Sequence, residues 1–354
     1  MNRLMTETLK LATPAHTPAG MNILVAGGAG YIGSHTVRQL KNAGHTPVIY
    51  DNGSRGHMIV ADILKVPAVK ADLDDKATLV KTLRDHKIDA VMHFAAYAYV
   101  GESVHEPLMY YHNNVGAMIT VLEAMAEAGV NKFVFSSTCA TYGDPDSVPI
   151  VEDMPKRPVS PYGRSKWMAE QVLADHCAAK KDFCYAALRY FNASGCAADG
   201  SLGESHDPEP HLIPSILLAI LGKREALTIF GDDYPTPDGT NVRDYIHVED
   251  LADAHIAAAA KLGTGADQEK KILANLGTGR GFSVKEIIAA AEKVTGKKVP
   301  VKYGPRRAGD AVALYADQKH AKAVLGWEAK YKDPESIIRT AWAWFQKHPD
   351  GYAE

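Results

Sequence analysis

The segment Tyr162–Lys166 holds the side chains of this sequence best suited to moving a proton. Four residues separate the phenol of Tyr162 from the ammonium of Lys166, so on a helix the two share one face, one turn apart. Ser160 and Pro161, an N-cap residue and a first-turn proline, predict that a helix begins here. A free tyrosine has a pKa of about 10, but a neighbouring cation favours the phenolate and lowers that pKa. We predict Tyr162 as a base, although such a pair also occurs on ordinary helices and needs support elsewhere in the chain.

A glycine-rich string, Gly27–Gly33, lies between an apolar run and a helical pattern and predicts a dinucleotide site. Glycines permit the tight turn and let backbone N–H groups approach a pyrophosphate at the start of the helix. Asp51, at the end of the second apolar run, is placed to bind the adenosine ribose hydroxyls and repel a 2′-phosphate. This favours NAD over NADP, although Arg55 lies close enough in sequence to neutralise such a phosphate. Asp72 and Leu73 after the third run are either adenine contacts or ordinary loop residues.

The elements that must position these residues are predicted from apolar runs, which alternate along the chain with helical patterns. The runs cover 22–26, 47–50, 68–71, 89–94, 132–136 and 185–190, and the main helical patterns cover 32–43, 76–86, 107–128 and 161–179. This alternation predicts an α/β fold with a doubly wound parallel (Rossmann) sheet and a smaller C-terminal α/β domain. The predicted parts are a flexible extension over 1–20, an NAD-binding domain over 21–191 and a substrate domain over 192–354. Within the last, the segment 240–260, which includes an apolar helix over 245–260, is expected to pack back on the first domain.

Composition and charge exclude several classes of function. The chain has 354 residues and a formal net charge of −3, which gives no basic field for nucleic acid or for a membrane surface. No apolar run reaches the roughly 18 residues of a membrane span, and residues 1–20 lack the apolar core of a secretory signal. The four cysteines have no Cys-x-x-Cys spacing and predict reduced thiols in a cytoplasmic protein. Asp232, Asp233 and Asp238 lie among prolines and predict a solvated turn, so we expect no metal site there or elsewhere.

Six further motifs follow the glycine-rich string. They are His93–Ala96, Gly101–Ser103, Tyr110–Asn114, Phe135–Thr138, Arg189–Asn192 and Asp244–Val248. Together with the Tyr162–Lys166 pair, these motifs resemble the extended short-chain dehydrogenase/reductase family over nearly the whole chain, from about Met21 to Tyr352. Among its branches the match is to epimerases that act on nucleotide sugars. The resemblance implies tightly bound NAD and inversion of C4 between UDP-glucose and UDP-galactose through a transient 4-keto sugar.

The resemblance also implies roles for individual residues. Tyr162 would take the proton of the sugar 4′-hydroxyl, Lys166 would hold the nicotinamide ribose and lower the pKa of Tyr162, and Thr138 would bridge the reacting hydroxyl and the tyrosine. The implied cofactor contacts are Gly27, Gly30, Tyr31, Ile32, Gly33, Asp51, Asn52, Asp72, Leu73, Phe94, Ala95, Ala96, Asn113, Thr138, Tyr162, Lys166 and Phe191. The implied substrate contacts are Thr138, Tyr162, Asn192, His211, Leu212, Thr228, Ile229, Phe230, Arg243, Arg307, Asp310 and Leu314. The two arginines suit a diphosphate, whereas Arg306, as a direct sequence neighbour of Arg307, is expected to point elsewhere.

Three positions depart from the family pattern. Ala98 stands where well-known bacterial members carry a lysine that contacts the cofactor, and Tyr97 or Tyr99 is expected to replace part of that contact. His211 stands where asparagine is common and keeps hydrogen-bonding capacity. Leu314 stands where many members have a bulky tyrosine that walls the sugar pocket. The alternatives left open are therefore an N-acetylhexosamine pair or the pentose pair UDP-xylose/arabinose.

Two other activities fit the residues less well. A nucleotide-sugar 4,6-dehydratase needs an Asp-Glu pair after Thr138, where this chain has Cys139 and Ala140. A non-catalytic NAD-binding sensor is the alternative from a different class, but such proteins usually lack the Tyr-Lys pair.

The resemblance implies a homodimer that uses the helices over 107–128 and 161–179. Val115, Ile119, Leu122 and Met125 form an apolar stripe at helical spacing on the first of these. The periodicity leaves open whether the stripe packs on the sheet, on a second subunit, or on both.

Overall fold

The computed structural model describes residues 20–307 and 310–353. Its strands are β1 (Asn22–Ala26), β2 (Thr46–Asp51), β3 (Ala68–Lys70), β4 (Ala90–His93), β5 (Lys132–Thr138), β6 (Cys184–Tyr190), β7 (Asn192–Ser194), β8 (Leu227–Phe230), β9 (Val242–Arg243), β10 (Tyr245–His247), β11 (Lys271–Leu276), β12 (Phe282–Ser283), β13 (Val301–Gly304) and β14 (Ala313–Leu314). Its helices are α1 (Tyr31–Asn42), α2 (Ile59–Leu64), α3 (Lys76–Asp85), α4 (Val100–His105), α5 (Pro107–Tyr111), α6 (Ala117–Ala128), α7 (Pro161–Ala179), α8 (Leu212–Ile220), α9 (Val248–Lys261), α10 (Val284–Thr295), α11 (Lys319–Leu325) and α12 (Pro334–Lys347), with a π-helical turn (His112–Gly116) and a 3₁₀ turn (Cys139–Thr141). Apart from Gly20, the predicted extension over 1–20 lies outside the described residues.

Seven parallel strands form the central sheet, in the order β11-β6-β5-β4-β1-β2-β3. One face packs on α1 and α9, where Ile23, Val37 and Leu251 share a core. The other face packs on α3, α6 and α7 in a second core that includes Leu24 and Leu173. The sheet is covered on both faces, which explains why its strands are almost continuously apolar. The predicted doubly wound α/β fold is confirmed, and the strand order reverses between β1 and β4, where such folds bind ligands.

Two elements differ from the sequence-based prediction. The helix predicted from residue 245 begins at Val248, because Tyr245–His247 instead pair as a parallel strand with Asn192–Ser194. The helix predicted over 107–128 is interrupted, since α5 passes through the π-helical turn before α6 begins. Asn114 in that turn is buried and donates to the carbonyl oxygen of Tyr97, so a contact outside the helix holds the irregular turn.

A smaller assembly lies beside the central sheet. β13 pairs with β8, β9 lies between β12 and β14, and α8, α10 and α12 enclose a separate core around Trp344, Ile216 and Ile287. The chain is not divided cleanly, because β11 returns from this region to the edge of the central sheet beside β6. The limits at 191 and 192 stay a prediction.

The sequence predicts no membrane-spanning segment and predicts reduced thiols. Among residues 20–307 and 310–353, no helix combines the length and apolar character needed to cross a bilayer. All four cysteines are free, with Cys177, Cys184 and Cys196 buried and Cys139 partly exposed.

Candidate active site

A cleft of about 1320 Å³ opens at the carboxyl ends of the central strands, beside the strand-order reversal. It is larger than the roughly 300–1,000 Å³ of an ordinary ligand pocket, which suits two ligands side by side. Every residue predicted above as a cofactor, catalytic or substrate contact lines this cleft. Their individual roles stay predictions.

The Tyr162–Lys166 pair is positioned by the start of α7 and by the sheet beneath it. Ser160 caps α7 by accepting the N–H of Gly163 at 3.1 Å, with proline in the first turn. Lys166 is only 3 % exposed, and its Nζ donates to the carbonyl oxygen of Ser136 at 2.9 Å. Burial lowers the pKa of Lys166 to about 7, against a raising effect of Glu170. The sheet therefore holds this ammonium in a fixed, desolvated position.

The pKa of Tyr162 differs from the sequence-based expectation. In the protein alone, burial raises the pKa of Tyr162 well above its usual value, and Tyr190 acts in the same direction. A hydrogen bond with Thr138, the last residue of β5, lowers it. The expected depression by Lys166 is missing because that ammonium is engaged by a β5 carbonyl and its own charge is disfavoured by burial. Further positive charge in the cleft is needed to make Tyr162 an effective base at neutral pH.

The glycine-rich string forms a backbone cradle without room for side chains. Gly27 has φ +79°, and a Cβ there would lie 2.5 Å from the backbone nitrogen of Ala95. A Cβ on Gly33 would lie 2.1 Å from the carbonyl oxygen of Gly27. Gly30 is the N-cap residue of α1 and has no side chain to cap the helix. The first N–H groups of α1, which lies at the cleft, therefore have no side-chain acceptor from this residue. This arrangement fits a dinucleotide pyrophosphate.

The adenosine end of the cleft has an aspartate held in place and an arginine already engaged. Asp51 ends β2 and accepts backbone N–H bonds of 3.1 and 2.9 Å from the two adjoining loops. Burial raises the pKa of Asp51, and those two bonds lower it. Arg55 pairs with Glu102 at 2.7 Å, and its guanidinium lies 5.2 Å from the ring centres of Tyr97 and Tyr99. Because Arg55 is committed to these partners, the geometry favours NAD over NADP.

The opposite end of the cleft offers two arginines. Arg243 forms an ion pair with Asp310, which orients its guanidinium. Arg307 lies over the ring of Phe230, 3.9 Å from its centre. Arg306 does not line the cleft and instead pairs at 2.6 Å with an exposed aspartate, as its position beside Arg307 predicts. Arg243 and Arg307 therefore place two guanidinium groups with fixed orientations at this end of the cleft, as a diphosphate site requires.

The comparisons with known proteins agree with this geometry. The model of the NAD dependent epimerase/dehydratase family matches residues 23–274. This chain belongs to that family. UDP-glucose 4-epimerase of Lactobacillus helveticus is 50% identical over 335 residues, which are 94% of this chain and 100% of that protein. The resemblance identified from the motifs is confirmed.

Two solved structures of epimerases are similar over nearly their full length. UDP-glucose 4-epimerase from Brucella ovis in complex with NAD is 49% identical, with a TM-score of 0.87 over 91% of this chain and 98% of that chain. UDP-glucose-4-epimerase from Stenotrophomonas maltophila with bound NAD and formylated UDP-arabinopyranose is 42% identical, with a TM-score of 0.90 over 93% and 99%. The cofactor of the epimerase/dehydratase family is NAD, and the glycine cradle and Asp51 of this member fit it.

The sequence-based predictions assigned no role to a buried ion pair that supports the site. Arg189 is 1 % exposed and Glu170 is 3 % exposed, and two hydrogen bonds of 2.8 and 2.5 Å join them. Tyr142 adds a bond of 2.9 Å to the same guanidinium. The pair fastens α7 to β6 one turn after Lys166. The sequence did contain a sign of this pair, because Arg189 is a charged residue in the otherwise apolar run that forms β6.

The sequence-based predictions also missed a group of four glutamate and histidine side chains. Glu204, His206, Glu209 and His211 line one wall of the cleft, and only His211 was singled out. Their spacing, Glu-x-His-x-x-Glu-x-His, is visible in the sequence.

Proposed function

We propose that this protein inverts C4 of UDP-glucose and UDP-galactose through a transient 4-keto sugar, with NAD tightly bound. One observation carries the proposal. A continuous cleft joins the glycine cradle to the Tyr162–Lys166 pair and to the arginines beyond it, so a dinucleotide and a nucleotide sugar fit end to end around the tyrosine. The relatives described above support this activity.

The proton-handling residues act as a unit. Tyr162 takes the proton of the sugar 4′-hydroxyl and later returns it, and the Thr138 hydroxyl guides that proton. When bound, NAD supplies a hydride acceptor and donor at its nicotinamide ring. Lys166, one helical turn from Tyr162, would hold the nicotinamide ribose, and its charge together with that of the oxidised nicotinamide would favour the phenolate against the burial of the phenol.

The nucleotide is anchored while the sugar turns over. Arg243, oriented by Asp310, and Arg307, stacked on Phe230, hold the diphosphate at the far end of the cleft. Anchoring at that end leaves the sugar ring free to present either face of C4. The chain therefore needs one base to serve both directions of reaction.

Epimer separation after incubation with each UDP-sugar tests the activity. Tyr162→Phe is expected to lose at least about 100-fold in kcat, as for the removal of a positioned general base. Tyr303→Phe is the matched control, since Tyr303 is 56 % exposed and does not line the cleft. The amount of NAD released on denaturation should be equal for the wild type, Tyr162→Phe and Tyr303→Phe, which separates cofactor binding from catalysis. Full activity of Tyr162→Phe contradicts the assignment of the base.

The sugar preference is a second part of the proposal. Leu314 lies in β14 beside Arg243 and packs with Tyr142, Ile150 and Phe191 at the cleft wall. Because leucine is smaller than tyrosine, the pocket is proposed to admit an N-acetylhexosamine or a pentose as well. Turnover of UDP-N-acetylgalactosamine and UDP-arabinose relative to UDP-galactose measures this. Absence of any turnover of the acetylated sugar rules out the wider pocket.

The proposed assembly is a homodimer. Leu122 and Met125 pack in the sheet-side core, whereas Leu108 of α5, Ile119 of α6 and Met168 of α7 are 73, 39 and 43 % exposed. Exposed apolar side chains on these helices suit contact with a second copy of the chain. Light scattering is expected to give twice the monomer mass, and Leu108→Glu with Met168→Glu is expected to give a monomer. A cytoplasmic location, which fits the four free thiols, completes the proposal and is tested by cell fractionation.

A further inference from the structure

Four side chains with metal-binding atoms converge in the loop between β7 and α8. Glu204, His206, Glu209 and His211 each offer one ligand atom, and these atoms all lie within 4.8 Å of one another. We propose that they form a site for a divalent transition-metal ion of the zinc type. The site is separate from the proton-handling pair and does not rest on the proposed function.

Four of the separations between the ligand groups, which involve both carboxylate oxygens of Glu209, are close to those around a tetrahedral ion. Ligands at about 2.0–2.2 Å from a tetrahedral Zn²⁺ lie about 3.4 Å from one another. Nδ1 of His211 lies 2.8 Å from Oε1 of Glu204 and 3.0 Å from Oε1 of Glu209. Nδ1 of His206 lies 3.3 Å from Oε2 of Glu209 and 3.5 Å from Oε1 of Glu204. The four ligand atoms lie within 4.8 Å of one another, so the widest separation would have to shorten by up to about 1.4 Å to place all four around one ion.

A buried oxygen aimed into the cluster is a second, independent observation. Glu204 is 2 % exposed, and its Oε1 has no hydrogen-bond partner among the described residues. His211 Nδ1 is near this oxygen, but the ring is not aligned to donate to it. A buried carboxylate oxygen without a donor is costly, and a cation satisfies it. The competing arrangement is two protonated imidazoles paired with the carboxylates, in which protons occupy the position of the ion.

The donor set selects the kind of ion. Two imidazole nitrogens and two carboxylate oxygens suit Zn²⁺ or Co²⁺, whereas Mg²⁺ and Ca²⁺ prefer oxygen alone. The protein supplies all four ligands, as in structural rather than catalytic zinc sites. The rings of Tyr31 and Tyr99 lie edge-on to His206, with centres 6.2 and 6.3 Å away. An ion would therefore hold this loop against the glycine-rich string at one wall of the cleft.

The test measures metal content in the untagged full-length chain. The protein is saturated with Zn²⁺, dialysed against metal-free buffer without chelator, and assayed by mass spectrometry for metal per chain. We expect about one equivalent in the wild type, and at least about a 100-fold weaker Zn²⁺ affinity in Glu204→Gln and in His206→Asn. His320→Asn, which removes an exposed histidine of α11, is the matched control and should keep the full equivalent.

A second measurement does not depend on the folding of variants. Co²⁺ titrated into the wild-type chain should give the intense visible absorption of a tetrahedral site, saturating at one equivalent and displaced by Zn²⁺. Less than about a tenth of an equivalent of zinc in the wild type overturns the proposal, because the cluster then binds protons instead. Equal zinc retention in Glu204→Gln, His206→Asn and His320→Asn overturns it too, since the metal would then bind elsewhere.

Discussion

Replacement of Lys166 by methionine should change stability and activity in opposite directions. The ammonium lies in a buried position where charge is disfavoured, and its pKa is lowered to about 7. The same group in an unfolded chain has a pKa of about 10.4. By proton linkage, this difference destabilises the folded protein by about 4 kcal/mol at pH 7. Methionine keeps most of the volume and removes the charge.

The sign of the pH dependence follows from the lowered pKa. The unfolded chain binds the extra proton between about pH 7 and pH 10, so the penalty is full below pH 7 and disappears as the pH rises. At pH 9.5 it has fallen to about 1 kcal/mol. The substitution also leaves the Ser136 carbonyl without its donor, which costs about 1–3 kcal/mol at either pH. Lys166→Met should therefore be more stable than the wild type by about 2 kcal/mol at pH 7, and its advantage should shrink by about 3 kcal/mol at pH 9.5.

Urea unfolding of the NAD-free protein at the two pH values measures this change. Lys180→Met, at an exposed position at the end of α7, is the control and should show no such change between the two pH values. The kcat of Lys166→Met should fall by at least about 100-fold, because the nicotinamide ribose loses the group proposed to hold it and the phenolate loses one of the positive charges that favour it. If the wild type and Lys166→Met change in parallel with pH, the ammonium is not held in a desolvated position and the account of its role is wrong.

Three further substitutions test the glycine cradle, the buried Arg189–Glu170 ion pair and the wall of the sugar pocket at Leu314. Gly33→Ala should abolish NAD retention, because its Cβ would lie 2.1 Å from a backbone oxygen of the same loop, whereas Gly116→Ala, with no atom within 4 Å of its Cβ, should keep NAD. Glu170→Gln should lower the unfolding free energy in urea by about 3–5 kcal/mol by leaving Arg189 buried without a counter-charge, and an unchanged midpoint would contradict this. Leu314→Tyr should lower kcat/KM for UDP-N-acetylgalactosamine at least tenfold relative to UDP-galactose, measured by epimer separation; an unchanged ratio means that this residue does not set the width of the pocket.

Sequence reasoning succeeded where the signal is local. The start of α7 depends on Ser160 and Pro161, and the end of β2 at Asp51 follows from one short apolar run, so both were predicted closely. The signals that failed depend on distant parts of the chain. Tyr245–His247 form a strand because β7 lies beside them, and the helical spacing of their apolar side chains gives no sign of that neighbour.

The candidate site shows the same division. The residues that line the cleft could be predicted because the motifs resemble a family whose ligand contacts fall at these positions. The pKa of Tyr162 could not, since it depends on how deeply the fold buries the phenol and on where the Lys166 ammonium points. The π-helical turn at Asn114 was also hidden, because one extra residue in a turn leaves the apolar spacing of 107–128 nearly unchanged.

The tyrosine–lysine pair is one part of a longer polar face on α7. Tyr162, Lys166 and Glu170 are spaced four residues apart, so they lie along one side of the helix on three successive turns. That side faces the sheet, where Lys166 bonds to a β5 carbonyl and Glu170 bonds to Arg189 of β6. Each buried charge therefore has a partner fixed by the sheet, and the helix cannot rotate or slide without breaking all of them. This explains how a phenol at the first turn of a helix can be held at one point in a wide cleft, which a base that serves both faces of the same carbon requires.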